Sequence, residues 1–326
     1  MLKYQPIWAG HDGPIMIEAS SSHLSLPDLV LSDLSGFKQR LTDHGALLFR
    51  GFRVADANDF DAFIKGISNR HFEYTYRSSP REGVTANVLT STSYPQGLDI
   101  PMHSENSYQR KWPLIIAFCC IVAPVRGGET PLASTAAVSD HIGSELMSKF
   151  EQLGIEYVRH FHDCVDMRWQ DVFQTESREV ARKYCMDNDI SYEWLESDIL
   201  RTSHVAQGVA NHPVKATKVF FNQAHLFHAS GLGRDRAEAL AIMFGAARLP
   251  RHARFGDGTE ITGAELEHVR QAFQASTMAF HWQRGDVLVL DNMQYCHGRR
   301  AFEGKRSVFA ALMEPYPSYT VRAPSA

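Results

Sequence analysis

The sequence offers little to support a disulfide-stabilised or zinc-ribbon protein. It has an odd number of cysteines, five in 326 residues, and no Cys-x-x-Cys pair. Two of them are adjacent in an apolar run, which favours packing in a core. Cys296 is also predicted to pack, next to a candidate metal ligand. We therefore expect free thiols at all five positions, namely Cys119, Cys120, Cys164, Cys185 and Cys296.

An excess of basic residues and a long apolar segment are also missing. Lysine and arginine number 33 against 37 aspartates and glutamates, for a formal net charge of −4, so no nucleic-acid partner is predicted. The longest apolar run, Leu114–Pro124, is too short to span a bilayer and is predicted to be a buried strand. The N-terminal residues show no signal-peptide pattern. We expect a cytoplasmic protein with no membrane partner.

No glycine-rich nucleotide loop and no regular alternation of strands with helices occurs. Strands are predicted at both ends of the chain, among them residues 114–122, 287–290 and 307–313. Helices are predicted between them, at 139–153 and 191–199. This order favours a mixed, mainly β fold: a double-stranded β-helix (jelly roll) core with helical insertions. We expect one domain over residues 1–326, with a helix-rich insertion at about 140–275.

Two short patterns point to metal chemistry. In an extended segment His103 and Glu105 project to the same side of the chain, although a His-x-Glu triplet alone is weak evidence. Far downstream, His297 follows a predicted strand. Two histidines and one carboxylate form the facial triad of non-haem Fe(II) oxygenases. Such a triad leaves three coordination positions open, which suffices for a bidentate 2-oxo acid and O₂.

Arg306 begins an apolar strand nine residues after His297 (306 − 297 = 9). A guanidinium among apolar residues needs an anionic partner, and its planar shape suits a carboxylate. The distal carboxylate of 2-oxoglutarate is one candidate. A surface ion pair with Glu303 or Glu314 is the other, and the residues alone do not choose between them.

Eight motifs together resemble the taurine dioxygenase superfamily of Fe(II)/2-oxoglutarate-dependent dioxygenases. They extend over most of the chain and occur in the family's order, which makes the resemblance specific. Within the superfamily the chain is similar to the branch of the syringomycin-type aspartyl β-hydroxylase. The motifs are HGALLFRGF (44–52), TSTSYP (90–95), MHSENSY (102–108), RGGETPLAS (126–134), WQDVFQT (169–175), FFNQAHLFH (220–228), FHWQRGDVLVLDN (280–292) and HGRRAFEGKRSV (297–308).

The resemblance implies a role for five residues. His103, Glu105 and His297 match the family's iron ligands, and this branch has glutamate where most members have aspartate. Arg306 matches the arginine that binds the distal carboxylate of 2-oxoglutarate. Thr130 matches a threonine that assists there, although it could also make only an ordinary strand hydrogen bond. The implied cofactors are Fe(II), the cosubstrate 2-oxoglutarate and O₂.

Two positions narrow the implied chemistry. Taurine dioxygenase has a second arginine four residues after the cosubstrate arginine, where it binds the sulfonate. Ala310 stands there in this chain, which argues against taurine as the substrate. Halogenating relatives have a small residue in place of the carboxylate ligand. Glu105 keeps that carboxylate, so hydroxylation is favoured over halogenation.

The substrate is inferred only from the branch. The resemblance implies an amino acid of secondary metabolism, free or tethered to a carrier protein, with β-hydroxylation of an aspartyl or glutamyl group as the leading hypothesis. Desaturation, epoxidation or cyclisation of a natural-product intermediate at the same site is an alternative, and so is a jelly roll that binds a metal or small acid without turnover. Whether the chain forms a homo-oligomer stays open. The candidate substrate residues are Arg81, Asn106, Arg168 and Asn222.

Overall fold

The computed structural model describes residues 2–21, 23–163 and 165–317. Four of the five cysteines lie in this part, and each is a buried free thiol, as expected. Cys164 lies outside the described residues.

The strands of the described residues form one seven-stranded sheet, two four-stranded sheets, one of which lies within the predicted insertion, and two short pairs. In chain order they are β1 (Leu2–Pro6), β2 (Ile15–Ala19), β3 (Ala46–Arg50), β4 (Leu89–Thr90), β5 (Ile100–His103), β6 (Lys111–Val122), β7 (Arg126–Gly127), β8 (Leu132–Ser134), β9 (Ile155–Phe161), β10 (Ser191–Trp194), β11 (Leu200–Ala206), β12 (Val209–Asn211), β13 (Lys218–Phe220), β14 (Arg251–Phe255), β15 (Thr277–Met278), β16 (Val287–Asp291), β17 (Tyr295–Arg299), β18 (Phe302–Glu303) and β19 (Ser307–Pro317).

Helices and strands occupy similar shares of the described residues, so "mainly β" applies to the core and not to the whole chain. Three short 3₁₀ turns occur as well, at 196–198, 229–231 and 246–248. The α-helices are α1 (Leu26–Ser32), α2 (Leu34–His44), α3 (Ala57–Ile67), α4 (Thr135–Ile142), α5 (Ser144–Leu153), α6 (Trp169–Phe173), α7 (Arg178–Asp187), α8 (Ala224–Phe227), α9 (Arg234–Phe244) and α10 (Gly263–Ala275).

The predicted jelly-roll core is present as two sheets. The larger has the order β1-β2-β3-β16-β6-β19-β4, and the smaller has the order β15-β8-β17-β5. Strands from the two ends of the chain lie side by side in both: β16 pairs with β3 and β6, and β17 pairs with β5. The smaller sheet therefore brings together the two segments that contain the candidate metal ligands.

The central strands of the larger sheet are buried on both faces, which explains their apolar sequences. Alternate side chains of its central strands point to opposite faces. Leu48, Phe118 and Leu288 belong to the cluster that also includes Leu132 of the smaller sheet. Their neighbours in sequence pack instead against α1, α2 and α3. A helical layer thus covers one face, while the other face encloses the jelly-roll interior.

Two predicted helices were wrong in detail. The helix expected at 139–153 is two helices, because Gly143 between them has φ of 82° and ψ of 156°, outside the helical region. The helix expected at 191–199 is the strand β10 followed by a 3₁₀ turn. Tyr192 and Trp194 are both more buried than their neighbours, and β10 pairs with β11. Tertiary pairing outweighs the helical propensity of this segment.

The insertion has more β structure than the sequence indicated. Besides helices α4 to α10 it contains the antiparallel sheet β10-β11-β9-β14. This sheet belongs to a hydrophobic core, to which Tyr157 and Phe255 contribute, that also includes Ala133 and Cys296 of the smaller jelly-roll sheet. In the part of the chain that the structure describes, every helix is too short or too polar to cross a bilayer.

Candidate active site

The pairing of β5 with β17 brings the two candidate histidine ligands together. The strands are antiparallel, and His297 lies directly opposite His103 in the register. Side chains at opposite positions of such a pair are close neighbours on one face of the sheet. The two imidazole rings have centroids 4.6 Å apart. Phe118, from the larger sheet, packs 5.1 Å from the His297 ring, so this face is the jelly-roll interior.

Glu105 completes the group. It follows His103 by two residues, and its Oε2 lies 3.8 Å from Nε2 of His297. One ligand atom from each of the three residues lies within 4.8 Å of the other two. Nδ1 of His103 is 2.8 Å from the carbonyl of Pro101, which leaves its Nε2 for a metal. Two imidazoles and one carboxylate on one side of a cavity fit a ferrous ion with open coordination positions.

Both histidines are held in the form that a metal requires. Burial lowers the pKa of His103. Burial lowers the pKa of His297 well below its ordinary value, and repulsion from His103 and Arg81 acts in the same direction. Both imidazoles are therefore neutral at neutral pH, and neutral imidazole is the ligating species.

Asn292 fixes the backbone around Glu105. Its Oδ1 accepts a hydrogen bond from the amide of Glu105 at 2.7 Å. Its Nδ2 donates to the carbonyls of Glu105 and Pro113, both at 2.9 Å. Asn292 is fully buried and directly follows β16. Asn292 lies inside one of the family motifs, but no local sequence pattern indicates this role.

Arg81 lies directly beside the candidate ligands. Its Nη2 donates to Oε2 of Glu105 at 2.6 Å, and only 3% of its side chain is exposed. Nε and Nη1 are buried and have no hydrogen-bond partner. The attraction of Glu105 and Tyr74 raises the pKa of Arg81 against the effect of burial, so the guanidinium stays charged. A buried cation with two unused donors faces the cavity next to the triad.

Arg306 and Thr130 line the same cavity as Arg81, His103 and His297. Nε of Arg306 donates to the carbonyl of Gly128 at 3.0 Å. Gly128 has φ of +69°, and a Cβ there would lie 3.1 Å from Cδ of Arg306, so glycine is needed for this approach. The hydroxyl of Thr130 accepts from Nε1 of Trp282 at 3.1 Å.

The surface ion pair considered for Arg306 is not found. Glu303 pairs with Arg126 at 3.5 Å, and Glu314 pairs with Arg70 at 2.9 Å. Among the described residues, no carboxylate lies within salt-bridge distance of Arg306. Burial, with repulsion from Arg299, lowers the pKa of Arg306 to about 10, so it is still a cation at neutral pH. An anion in the cavity would stabilise this charge.

Asn106, the next residue after Glu105, resembles Arg81 in having buried polar atoms without hydrogen-bond partners. It is fully buried, and neither Oδ1 nor Nδ2 has a hydrogen-bond partner. Its φ is 56°, in the left-handed region that asparagine tolerates better than most residues. An amide in this state is able both to donate to and to accept from a bound molecule.

The other two candidate substrate residues have local partners. Arg168 precedes α6, leaves 46% of its side chain exposed and pairs with Asp171. Asn222 is buried, donates to the carbonyl of Gly208 at 2.7 Å and accepts from the amide of Ala224 at 3.0 Å. Neither residue is among those lining the cavity of His103 and His297; Asn106 is not among them either, whereas Arg81 is.

Three further arginines near this region had no signal in the sequence. Arg77 donates to the carbonyl of Arg81 at 3.2 Å, and Arg159 donates to the carbonyl of Arg77 at 2.8 Å. Arg159 is buried and one of its nitrogens has no partner. Arg251 pairs with Asp166 and repels Arg159, which contributes to lowering the pKa of Arg159. Their proximity depends on tertiary contacts between distant segments, and spacing along the chain does not reveal it.

Comparison with known proteins supports one family. Residues 10–312 match the model of the taurine catabolism dioxygenase TauD, TfdA family. The dapdiamide synthesis protein DdaC of Enterobacter agglomerans is 38% identical over 315 residues, covering 96% of this chain and 95% of that protein. A clavaminate synthase-like protein of Arabidopsis thaliana is 29% identical over 282 residues, covering 83% and 82%.

Solved structures support the same fold. PvcB from Pseudomonas aeruginosa superposes with a TM-score of 0.58 at 16% identity, covering 98% of this chain and 94% of that one. AAD-2, solved with Mn(II) and N-oxalylglycine, gives a TM-score of 0.56 at 13% identity, covering 98% and 100%. The family match extends over nearly the whole chain. The chain therefore belongs to the TauD, TfdA family and is an Fe(II)- and 2-oxoglutarate-dependent oxygenase that uses O₂.

Proposed function

We propose that this enzyme hydroxylates an unactivated C–H bond of an amino acid with an acidic side chain, free or tethered to a carrier protein. The observation that carries the proposal is the pair of buried, unsatisfied polar side chains next to Glu105. Arg81 has two donors without a partner, and Asn106 has both of its polar atoms unpaired. A buried polar group without a partner costs about 1–3 kcal/mol. A bound polar molecule would remove that cost.

In this proposal His103, Glu105 and His297 hold the iron. Their neutral imidazoles and carboxylate supply three ligands from one side, and the buried setting limits access of water. When bound, Fe(II) and 2-oxoglutarate supply the oxidant: O₂ is consumed, the cosubstrate becomes succinate and CO₂, and one oxygen atom goes to the substrate. The protein's own residues orient the two organic acids.

Arg306 would bind the distal carboxylate of 2-oxoglutarate, with Thr130 beside it. The Arg306 stem is anchored by the carbonyl of Gly128, and Trp282 orients the Thr130 hydroxyl. A guanidinium with no carboxylate partner of its own is suited to bidentate binding of a carboxylate. Shielding from water strengthens that interaction relative to a surface pair.

The charges around the candidate substrate site favour an acid. Four arginines are connected to one another, three by hydrogen bonds to backbone carbonyls and the fourth by charge repulsion from Arg159. They are Arg77, Arg81, Arg159 and Arg251. Among the described residues, only two carboxylates pair with them, Glu105 with Arg81 and Asp166 with Arg251. Four cations against two anions leave two positive charges (4 − 2 = 2) in a largely buried region. A carboxylate of the substrate would compensate part of this excess.

Arg81 is favoured over Arg168 as the residue that binds the substrate carboxylate. Arg81 is buried against the triad and has unused donors, while Arg168 is half exposed and already paired. The relative DdaC is named for dapdiamide synthesis, which supports a role for this chain in natural-product biosynthesis. The support for a carrier-bound substrate comes from the branch resemblance alone.

The test is turnover with a panel of amino acids. Purified enzyme with Fe(II), 2-oxoglutarate and saturated acidic amino acids, free or loaded on a carrier protein, is expected to release succinate. The product should be heavier by one oxygen. A product that has lost two hydrogens would instead indicate desaturation. No stimulation by any free or carrier-bound amino acid would contradict the proposal.

Arg81→Met identifies the residue that binds the acid. Losing a charge-assisted hydrogen bond costs roughly 1.5–3 kcal/mol, so the KM for the amino acid is expected to rise about 10- to 150-fold. Arg182→Met removes a solvent-exposed arginine that forms a salt bridge with Glu179 and does not line the cavity of His103 and His297, so it is the matched control. If Arg81→Met raises the 2-oxoglutarate requirement and leaves the amino-acid KM unchanged, Arg81 serves the cosubstrate and not the substrate.

A further inference from the structure

A second group of metal-ligating side chains lies outside the candidate active site. His228 directly follows α8, His252 lies on β14, and Glu260 follows the turn after β14. One ligand atom from each lies within 4.8 Å of the other two. Among the residues that the structure describes, only this group and the His103 group have that arrangement.

We propose that His228, His252 and Glu260 bind a second divalent transition-metal ion, of which Zn²⁺ is the representative. Two imidazole nitrogens and one carboxylate oxygen are a donor set for zinc, nickel or copper. Magnesium and calcium prefer oxygen ligands alone. Three protein ligands leave one position of a tetrahedral zinc site for water.

The ligand spacing fits one ion after small side-chain rotations. Zinc–ligand bonds of about 2.0–2.2 Å at tetrahedral angles separate neighbouring ligand atoms by about 3.3–3.5 Å. Nε2 of His252 is 3.0 Å from Oε2 of Glu260, and Nε2 of His228 is 4.0 Å from the same oxygen. The two rings have centroids 5.1 Å apart. The observed distances lie on either side of the required one.

The environment of His228 suits a ligand. Its Nδ1 accepts a hydrogen bond from the amide of Ser230 at 3.1 Å and lies 2.9 Å from the hydroxyl of the same residue. When Nε2 binds a metal, the ring proton moves to Nδ1, where this hydroxyl is able to accept it in place of the amide contact. Arg270 donates a hydrogen bond to the same hydroxyl at 3.4 Å, and its charge opposes a positive charge on His228. It pairs with Glu267 at 2.9 Å, which offsets its charge.

The site is open to ions from solvent. The side chain of Glu260 is 61% exposed, whereas those of His228 and His252 are 15% and 25% exposed. A solvent-exposed carboxylate on the outside and two shielded imidazoles behind it allow an ion to enter without any rearrangement of the core.

A bound ion would stabilise the wall behind the candidate iron ligands. It would link the end of α8 to β14. The α8 segment contacts the strand that contains His103: Gln223 donates to the carbonyl of Ser104 at 2.8 Å, and Nε2 of His225 is 2.9 Å from the carbonyl of Met102. The role of this ion is therefore structural, without participation in oxidation.

The test is zinc stoichiometry by equilibrium dialysis against zinc sulfate followed by metal analysis. The His103→Ala/His297→Ala chain, which lacks the candidate iron ligands, is expected to retain one Zn²⁺ per chain and to show a Tm that rises with zinc. Adding His252→Ala or Glu260→Gln should reduce retention at least tenfold and abolish the Tm shift. Adding His11→Ala, at an exposed histidine elsewhere, should change neither.

Glu260→Gln in the otherwise native chain guards against misfolding, because this side chain is largely exposed. The native chain is expected to retain two Zn²⁺ and the Glu260→Gln chain one. Retention of a single Zn²⁺ by the native chain, or of equal amounts with and without Glu260 and His252, would overturn the proposal.

Discussion

Replacing Asn292 by aspartate tests how the position of Glu105 is fixed. Aspartate has the same shape but no donors, so the carbonyls of Glu105 and Pro113 each lose a 2.9 Å hydrogen bond. A buried acceptor left without its donor costs about 1–3 kcal/mol, which gives roughly 2–6 kcal/mol for the two. The new carboxylate would also be buried against two carbonyl oxygens, which adds to the cost.

Two measurements follow from this substitution. Urea unfolding of the metal-free protein should show a free energy of unfolding lower by at least about 2 kcal/mol. Fe(II) affinity, measured anaerobically, should fall roughly 10- to 100-fold, as it does when a residue that orients a metal ligand is lost. Asn188→Asp, which also removes an amide donor to a carbonyl but at an exposed position, is the control. Unchanged stability and iron affinity in Asn292→Asp would refute the reasoning.

Three further predictions concern the cosubstrate and pH. Arg306→Ala should raise the 2-oxoglutarate KM at least tenfold while iron stays bound; an unchanged KM would remove Arg306 from the cosubstrate site. Trp282→Phe deletes the donor to Thr130 and should raise the same KM a few-fold with little change in iron affinity, which steady-state kinetics would detect. Burial lowers the pKa of His204 to about 4, against 6.5 for the unfolded chain. Between these two pH values the unfolded chain binds a proton at this histidine that the folded chain does not. The free energy of unfolding should therefore fall by about 3 kcal/mol between about pH 6.5 and 4. In urea unfolding measured over this pH range, His204→Asn should show a smaller dependence of the free energy of unfolding on pH.

Local sequence patterns predicted those elements of the fold whose own residues indicate them, without information on pairing with distant segments of the chain. The apolar run in β6 and the strands at the chain's end were identifiable. The segment at 191–199 was not, because its strand exists only by pairing with β11. The break at Gly143 was missed because a glycine inside a helical pattern is often tolerated.

The candidate site likewise has residues that sequence patterns predicted and contacts that they did not. His103 and Glu105 are close in sequence, so their shared side follows from strand geometry, and family motifs connected them with His297 and Arg306. The contacts of Arg81 with Glu105 and of Asn292 with Glu105 join residues far apart in the chain. The sequence predicted Arg81 as a candidate substrate residue, but it did not predict the hydrogen bond from Arg81 to Glu105. Such contacts follow from the packing of the sheets, which no local pattern encodes.

The most direct test of the proposed site is the visible absorption band of the Fe(II)–2-oxoglutarate chelate under anaerobic conditions. The native protein is expected to develop the band when Fe(II) and 2-oxoglutarate are added. The His103→Ala and His297→Ala variants are expected not to develop it at the same concentrations. Arg306→Ala should develop it only at higher 2-oxoglutarate. A band of native intensity in His297→Ala would contradict the assignment of His103, Glu105 and His297 as the iron ligands.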